Sequence, residues 1–199
     1  MESLQTKQGS GLKDFWGLLL FLFLVLVGTL LINNFVFRSF NVLGPSMEPT
    51  LVTGDRLIVN RLPVTWSMLK SEPYQPNRGD VIVFRNPQFT PGAEEEYLVK
   101  RVIAFEGERV TVKRGVLTVY NGSNPQGLRV DELFDDEPGS PTSGDVDTVV
   151  SEGTIFVAGD HREGEFSYDS RNGLGLVKLY DIIGPVAIRI FPFTAIRLF

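Results

Sequence analysis

The 199-residue sequence contains no cysteine and one histidine, His161. Without cysteine there is no disulfide, no thiolate nucleophile and no Cys-ligated metal. One imidazole cannot build a zinc centre that needs two or three of them. A Ser-His-Asp triad would have to use His161. Dense runs of Lys and Arg are also missing: 19 basic against 24 acidic side chains leave a net charge of -5. With a sequence pI near 5.0, a nucleic-acid partner is not expected. A nucleophilic hydrolase of this composition must find its base outside cysteine and, in the main, outside histidine.

What the chain has instead is hydrocarbon at one end. From Phe15 to Phe37 no charged residue occurs. A helix of that length rises about 35 Å, enough for a hydrocarbon core of about 30 Å. A cleaved secretory signal is the competing reading, but its apolar stretch is shorter and small residues precede the cut. Asn33-Asn34-Phe35-Val36-Phe37-Arg38 offers no such pattern, so an uncleaved anchor over residues 15–37 is expected. Residues 1–14 then form a short tail, and residues 38–199 the main domain. Lys7 and Lys13 before the span, against Arg38 after it, bias the tail towards the cytoplasm.

Beyond the anchor the pattern is one of strands and turns. Gly44-Pro45-Ser46-Met47-Glu48-Pro49-Thr50 carries two prolines and excludes a continuous regular element. Arg56–Asn60, Val81–Phe84, Tyr97–Phe105 and Thr154–Ala158 read as strands. Val110–Val112 and Val116–Tyr120 read as a hairpin turning at Lys113-Arg114-Gly115. Helical periodicity is confined to the region of Thr65 to Lys70. The acidic, Gly/Pro/Ser-rich stretch from Asp131 to Asp147 is expected to be a solvated loop. The soluble part is therefore mainly β.

Three groups of residues can carry chemistry. Ser46 sits between Pro45 and Met47. Taken alone it is a turn serine, yet flanking prolines also hold a nucleophile extended and exposed, with its amide N–H free to face an oxyanion. Lys100 alternates onto the face of Val102. An exposed lysine snorkels and stays charged, whereas a buried one loses its proton more easily and can serve as a base. The Ser–Lys pair is a variant of the triad in which a neutral amine replaces imidazole. The third group is Gly159-Asp160-His161-Arg162 followed by Ser167-Tyr168-Asp169-Ser170-Arg171, a tight polar loop whose Asp–Arg pairs suit structural work. His161 ranks below Lys100 as a base.

In order, these segments resemble the bacterial type I signal peptidases across nearly the whole chain. After the anchor come Ser46-Met47-Glu48-Pro49-Thr50-Leu51, then Gly79-Asp80-Val81-Ile82, then Lys100-Arg101-Val102-Ile103 with Gly107, then Gly159-Asp160-His161-Arg162 with Ser167, Asp169, Ser170 and Arg171. The resemblance implies two antiparallel β subdomains after one transmembrane helix, and a Ser–Lys dyad of Ser46 and Lys100. It implies that Ser167 orients the lysine and that the Ser46 N–H binds the oxyanion. Asp160, Arg162, Asp169, Ser170 and Arg171 would brace the site, with no metal and no cofactor. Implied partners are signal-peptide-bearing preproteins cut after small-x-small motifs, the lipid bilayer and, nearby, the export translocon. The catalytic domain would lie on the outer face of a bacterial cytoplasmic or thylakoid-type membrane.

Three positions depart from the family pattern. Gly44 stands where some members have a serine that assists the oxyanion. His161 replaces the usual asparagine, and two extra residues separate Arg162 from Ser167. Self-cleaving repressors share Ser–Lys chemistry but are soluble and bind DNA, so the apolar span speaks against them. A non-catalytic single-pass protein with a partner-binding β domain is the other alternative.

Overall fold

The computed structural model describes residues 10–92, 96–134, 138 and 141–199. An apolar helix, α1 (Ser10–Phe35), leads into β1 (Phe37–Asn41). Then follow β2 (Arg56–Asn60), a short helix α2 (Leu62–Leu69), β3 (Val81–Arg85) and β4 (Tyr97–Phe105). Next are β5 (Arg109–Lys113), β6 (Val116–Tyr120), β7 (Leu128–Arg129) and β8 (Val146–Val149). The chain closes with β9 (Thr154–Ala158), β10 (Val177–Lys178), β11 (Ile182–Phe191) and β12 (Arg197–Leu198).

These strands make two antiparallel sheets. The larger has the order β1-β2-β11-β3-β4-β9-β10, with β12 on β11; the smaller runs β7-β6-β5-β8. Ile103, Ala104, Phe156 and Ala158 of the large sheet pack against Val110, Val112, Leu117 and Val119 of the small one. Ile103 and Ala104 face the same way because the β4–β9 register shifts between Val102 and Ala104. A bulge lets consecutive residues escape the two-residue alternation. On another face Ile82, Phe84, Leu98 and Val102 form a second core, and Val42, Met47, Leu51, Leu57 and Val83 a third.

The helix has the length and composition to cross a membrane: Lys13–Phe35 contains a window of mean hydropathy 2.7, and that window is not buried by the rest of the protein. It ends two residues before the expected boundary at residue 37. Phe37 instead opens β1, paired with Asn60. Hydropathy does not mark this stop, because Val36 and Phe37 are as apolar as the helix. The stop is made by tertiary bonds: the Thr65 hydroxyl donates to the Phe35 carbonyl (2.8 Å), and the Arg61 N–H to that of Val36 (2.8 Å).

The stretch from Asp131 to Asp147 is not simply a solvated loop. Val130–Leu133 forms a 3-10 turn, Thr142 is buried, and Val146 begins β8. Residues 135–137, 139 and 140 of that stretch lie outside the described residues. β11 lies between β2 and β3 although it contains Gly184-Pro185. The β11–β3 register shifts next to Gly184, and a Cβ on Gly184 would collide with the Asn60 carbonyl. Proline and glycine are tolerated in an inner strand at such irregularities.

Candidate active site

The segment between β1 and β2 is a folded loop, not a free turn. Met47 and Leu51 are fully buried and act as plugs into the third core. Its ends are tied by Val42 N–H to the Asp55 carbonyl (2.8 Å) and Gly54 N–H to that of Val42 (3.0 Å). Asp55 in turn accepts from the Val52 N–H (3.0 Å) and from Arg189 (2.9 Å), which also donates to the Thr50 carbonyl (3.0 Å). Gly44 has φ +83°, a left-handed conformation that side chains resist. The turn it permits lifts Pro45 and Ser46 to the surface between two buried anchors.

Lys100 comes from the inner strand β4, opposite Ile82 of β3. Cross-strand partners share a face, so the lysine leaves the sheet on the apolar side and is only 2 % exposed. Its Nζ donates to Ser46 Oγ at 2.7 Å and to the Val99 carbonyl at 3.0 Å. Two residues 54 positions apart are thus brought to hydrogen-bonding distance by strand pairing and the plugged loop. They open into a cleft of about 360 Å³ whose lining includes Phe40–Ser46, Leu57, Val83, Tyr97–Lys100, Phe166 and Tyr168.

The third polar group forms the back wall. Gly159 is the contact point: a Cβ there would overlap the Ser46 carbonyl and the Ser167 hydroxyl. Asp160, fully buried, accepts from Arg101 Nε (2.8 Å) and Nη2 (2.6 Å) and from the Thr50 hydroxyl (2.6 Å). It therefore fastens β4, the loop that carries Ser46 and β9's end together. Ser167 donates to Asp169 Oδ2 (2.6 Å), which also accepts from the Gly159 N–H (2.8 Å) and Arg171 Nη2 (2.7 Å). Burial pushes the Asp169 carboxyl up. The Arg171 hydrogen bonds and charge, with those of Gly159 and Ser167, outweigh it and hold the carboxyl below its ordinary range. Ser170 accepts from the Val157 N–H (3.0 Å) and serves β9 rather than the cleft.

Arg162 differs from these. It is fully buried and its Nη1 lies 2.8 Å from Asp131, yet its guanidinium nitrogens make no aligned hydrogen bond. Burial lowers its proton affinity and raises that of Asp131, each opposed by the other's charge. His161 stands beside the Ser46 loop, with Nδ1 3.2 Å from the Pro45 carbonyl. Among the described residues no cluster of three or more His, Asp or Glu could hold a metal ion.

Ser46, Lys100, Asp160, Ser167 and Asp169 are thus brought together, as the sequence motifs lead one to expect. Arg101, Thr50, Arg189, Tyr168 and Phe166 were not picked out as site residues. Arg101 and Thr50 lie inside quoted motifs, but their partner Asp160 is 59 and 110 residues away, a distance no local pattern reveals. Phe166 lies between Arg162 and Ser167, outside the motif residues quoted above.

Known proteins resemble this chain over most of its length. Residues 15–191 match the family described as signal peptidase, peptidase S26. Signal peptidase I P of Bacillus subtilis subsp. natto is 34 % identical over 187 residues, covering 92 % of this chain and 90 % of that protein. Signal peptidase I T of Bacillus subtilis (strain 168) is 36 % identical over 172 residues, covering 84 % and 81 %. Signal peptidase I of Bacillus caldolyticus is 37 % identical over 171 residues, covering 80 % and 82 %. A non-catalytic membrane protein is accordingly set aside. With a serine and a lysine meeting in a cleft, behind a helix fit to anchor it, and relatives matched over most of their length, the chain belongs to the signal peptidase S26 family of serine peptidases.

Proposed function

We propose that this peptidase removes N-terminal signal peptides from exported preproteins through an acyl-enzyme formed on Ser46, with Lys100 as general base. The observation that carries the reading is the 2.7 Å contact between Lys100 Nζ and Ser46 Oγ inside an open cleft. Heavy atoms at that distance serve proton transfer in either direction. A lysine 2 % exposed and surrounded by β-sheet is in a setting that favours the neutral amine. The neutral amine takes the Ser46 proton as Oγ attacks the scissile carbonyl, then passes it to the departing amine. It next takes a proton from water as the hydroxide attacks the ester carbonyl, and returns that proton to the departing Ser46 Oγ, which restores the serine and the neutral amine.

Among the described residues the Ser46 N–H has no hydrogen-bond partner within the chain, which leaves it available to the oxyanion. Ser167 gives its proton to Asp169, so its oxygen lone pairs point elsewhere and suit accepting from Lys100. Asp160, Arg162, Asp169, Ser170 and Arg171 act on backbone position and not on the substrate.

The cleft suits an extended peptide. β9 pairs with β4 only from Arg101 onward, which leaves the edge of Tyr97–Lys100 open opposite residues 40–46. An extended chain can add to such an edge, with alternate side chains turned inward. Leu57 and Val83 are buried on the lining. Shallow apolar pockets of this kind accept small residues one and three positions before the cut. In the proposed topology residues 1–14 face the cytoplasm and 15–37 anchor the enzyme. Residues 38–199 work on the outer face of a bacterial cytoplasmic or thylakoid-type membrane, near the translocon.

The test is cleavage in detergent of a preprotein bearing an Ala-x-Ala site. Wild type should cut after the second alanine, and Lys100→Ala and Ser46→Ala should each lose at least about 10³-fold in kcat/KM. An active Lys100→Ala enzyme would refute the dyad and direct attention to His161.

A further inference from the structure

The loop between Arg162 and Ser167 places an aromatic ring at the cleft. Phe166 is 62 % exposed, yet it lines the same cleft as Ser46 and Lys100. Its ring rests on His161, with centroids 4.9 Å apart and planes inclined by 33°. His161 is itself fastened to the nucleophile loop. Its backbone N–H donates to the Ser46 carbonyl (3.2 Å), and its Nδ1 lies 3.2 Å from the Pro45 carbonyl. A carbonyl only accepts, so Nδ1 carries the proton in that contact.

The backbone leading to the ring is also tied down. Gly164 has φ +57°, and a Cβ there would stand 3.2 Å from the Phe166 ring. Its N–H donates to the Ser143 hydroxyl (2.7 Å), and the Ser143 N–H donates to the Arg162 carbonyl (2.9 Å). A large ring that rests on His161 and is left open towards a cleft is shaped to receive a further apolar group.

The position of His161 says which part of a substrate that group belongs to. Under the proposed function, the arm of the cleft between residues 40–44 and 97–99 holds the residues before the cut. His161 touches Pro45 and Ser46, the last members of the loop to line the cleft. Phe166 therefore stands at the Ser46 end, where the chain beyond the scissile bond departs. We infer that Phe166 is a specificity residue for the first residue after the cut, favouring a large apolar side chain there, with His161 as its positioning residue. The inference rests on the peptidase reading above.

The experiment compares two peptides identical through an Ala-x-Ala site, one with Leu and one with Ala as the first residue after the cut. Full-length enzyme in detergent should favour the Leu peptide about fivefold in kcat/KM, mainly through KM, as expected when part of a leucine is covered by a ring. In Phe166→Ala the ratio falls to near one; in Phe166→Leu most of it survives; in His161→Ala it falls because the ring loses its rest. The ratio is read within one enzyme preparation, so a partly unfolded variant does not distort it. A wild-type ratio near one, or a fivefold ratio that persists in Phe166→Ala, overturns the inference and leaves the peptidase reading standing. Failure of wild type to cut either peptide overturns both.

Discussion

The back wall of the cleft and the small sheet handle charge in opposite ways. In the small sheet Arg109 and Lys113 meet Asp147 at 2.6 and 3.4 Å, with all three side chains at least 42 % exposed, over a core of Val110, Val112, Leu117 and Val119. Around the cleft, the Arg101–Asp160 and Arg171–Asp169 pairs lie at 2.6 and 2.7 Å with side chains at most 6 % exposed. An Arg–Asp pair at 2.6 Å does different work in the two places. Exposed pairs are hydrated with or without their partner and contribute little. Buried pairs must be matched by aligned donors or the fold suffers, so they hold parts of the chain in fixed positions. Arg162–Asp131 stands between the two regimes, buried on the arginine side but poorly aligned.

The contrast can be tested from its strong end downward. Arg101→Ala leaves the Asp160 carboxylate buried without its bidentate partner and should cost about 3–5 kcal/mol in denaturant unfolding, with loss of cleavage. Gly159→Ala adds a methyl group where the Ser46 carbonyl and Ser167 hydroxyl already stand. A displacement of about 1 Å there should lower kcat about 10²-fold, read in the same cleavage assay. If either variant behaves like a surface substitution, the rigid-wall account is wrong.

Asp169 supplies the pH dependence. Its folded pKa is depressed from an ordinary 3.8, so its stabilisation is fully present above that value and is lost as pH falls through the lower folded value. Melting temperature should therefore drop more steeply below pH 4 in wild type than in Asp169→Asn, which is less stable at neutral pH. Replacing Arg162 and Asp131 together by Met and Leu should be neutral or mildly stabilising in a chemical melt, since an unaligned buried ion pair yields readily to apolar packing. At the weak end, Asp147→Asn should leave the melting temperature unmoved. Arg109's hydrogen bond lowers that carboxyl to about 2, but the group lies at the surface, where water screens the pair. A clear drop there would erase the contrast.

Much of this was legible in the sequence for physical reasons. β2, β3, β4, β9 and the β5–β6 hairpin announce themselves by apolar alternation between turn residues. β11 does not, because Gly184-Pro185 is a strand breaker unless a bulge and a neighbouring backbone accommodate it. β1 hides at the end of the hydrocarbon run, since hydropathy does not distinguish an apolar strand from the last turn of an apolar helix. In the site, motif order pointed to Ser46 and Lys100. Their approach depends on Met47 and Leu51 filling a core and on β4 pairing with β3. The Arg101–Asp160 fastening and the Phe166–His161 stack are products of the folded chain alone.

The passage from α1 to β1 through Val36 alone leaves no slack between helix and catalytic sheet. Thr65 and Arg61 splint that joint from the side. Where the helix crosses a bilayer, Ser46 rides at a height set by the helix and not by a swinging linker. Under the proposed function the enzyme would in that sense be a gauge: a peptide bond would meet Ser46 only where it emerges at one distance from the hydrocarbon edge. Thinning or thickening the bilayer would tilt the helix and move the blade with it.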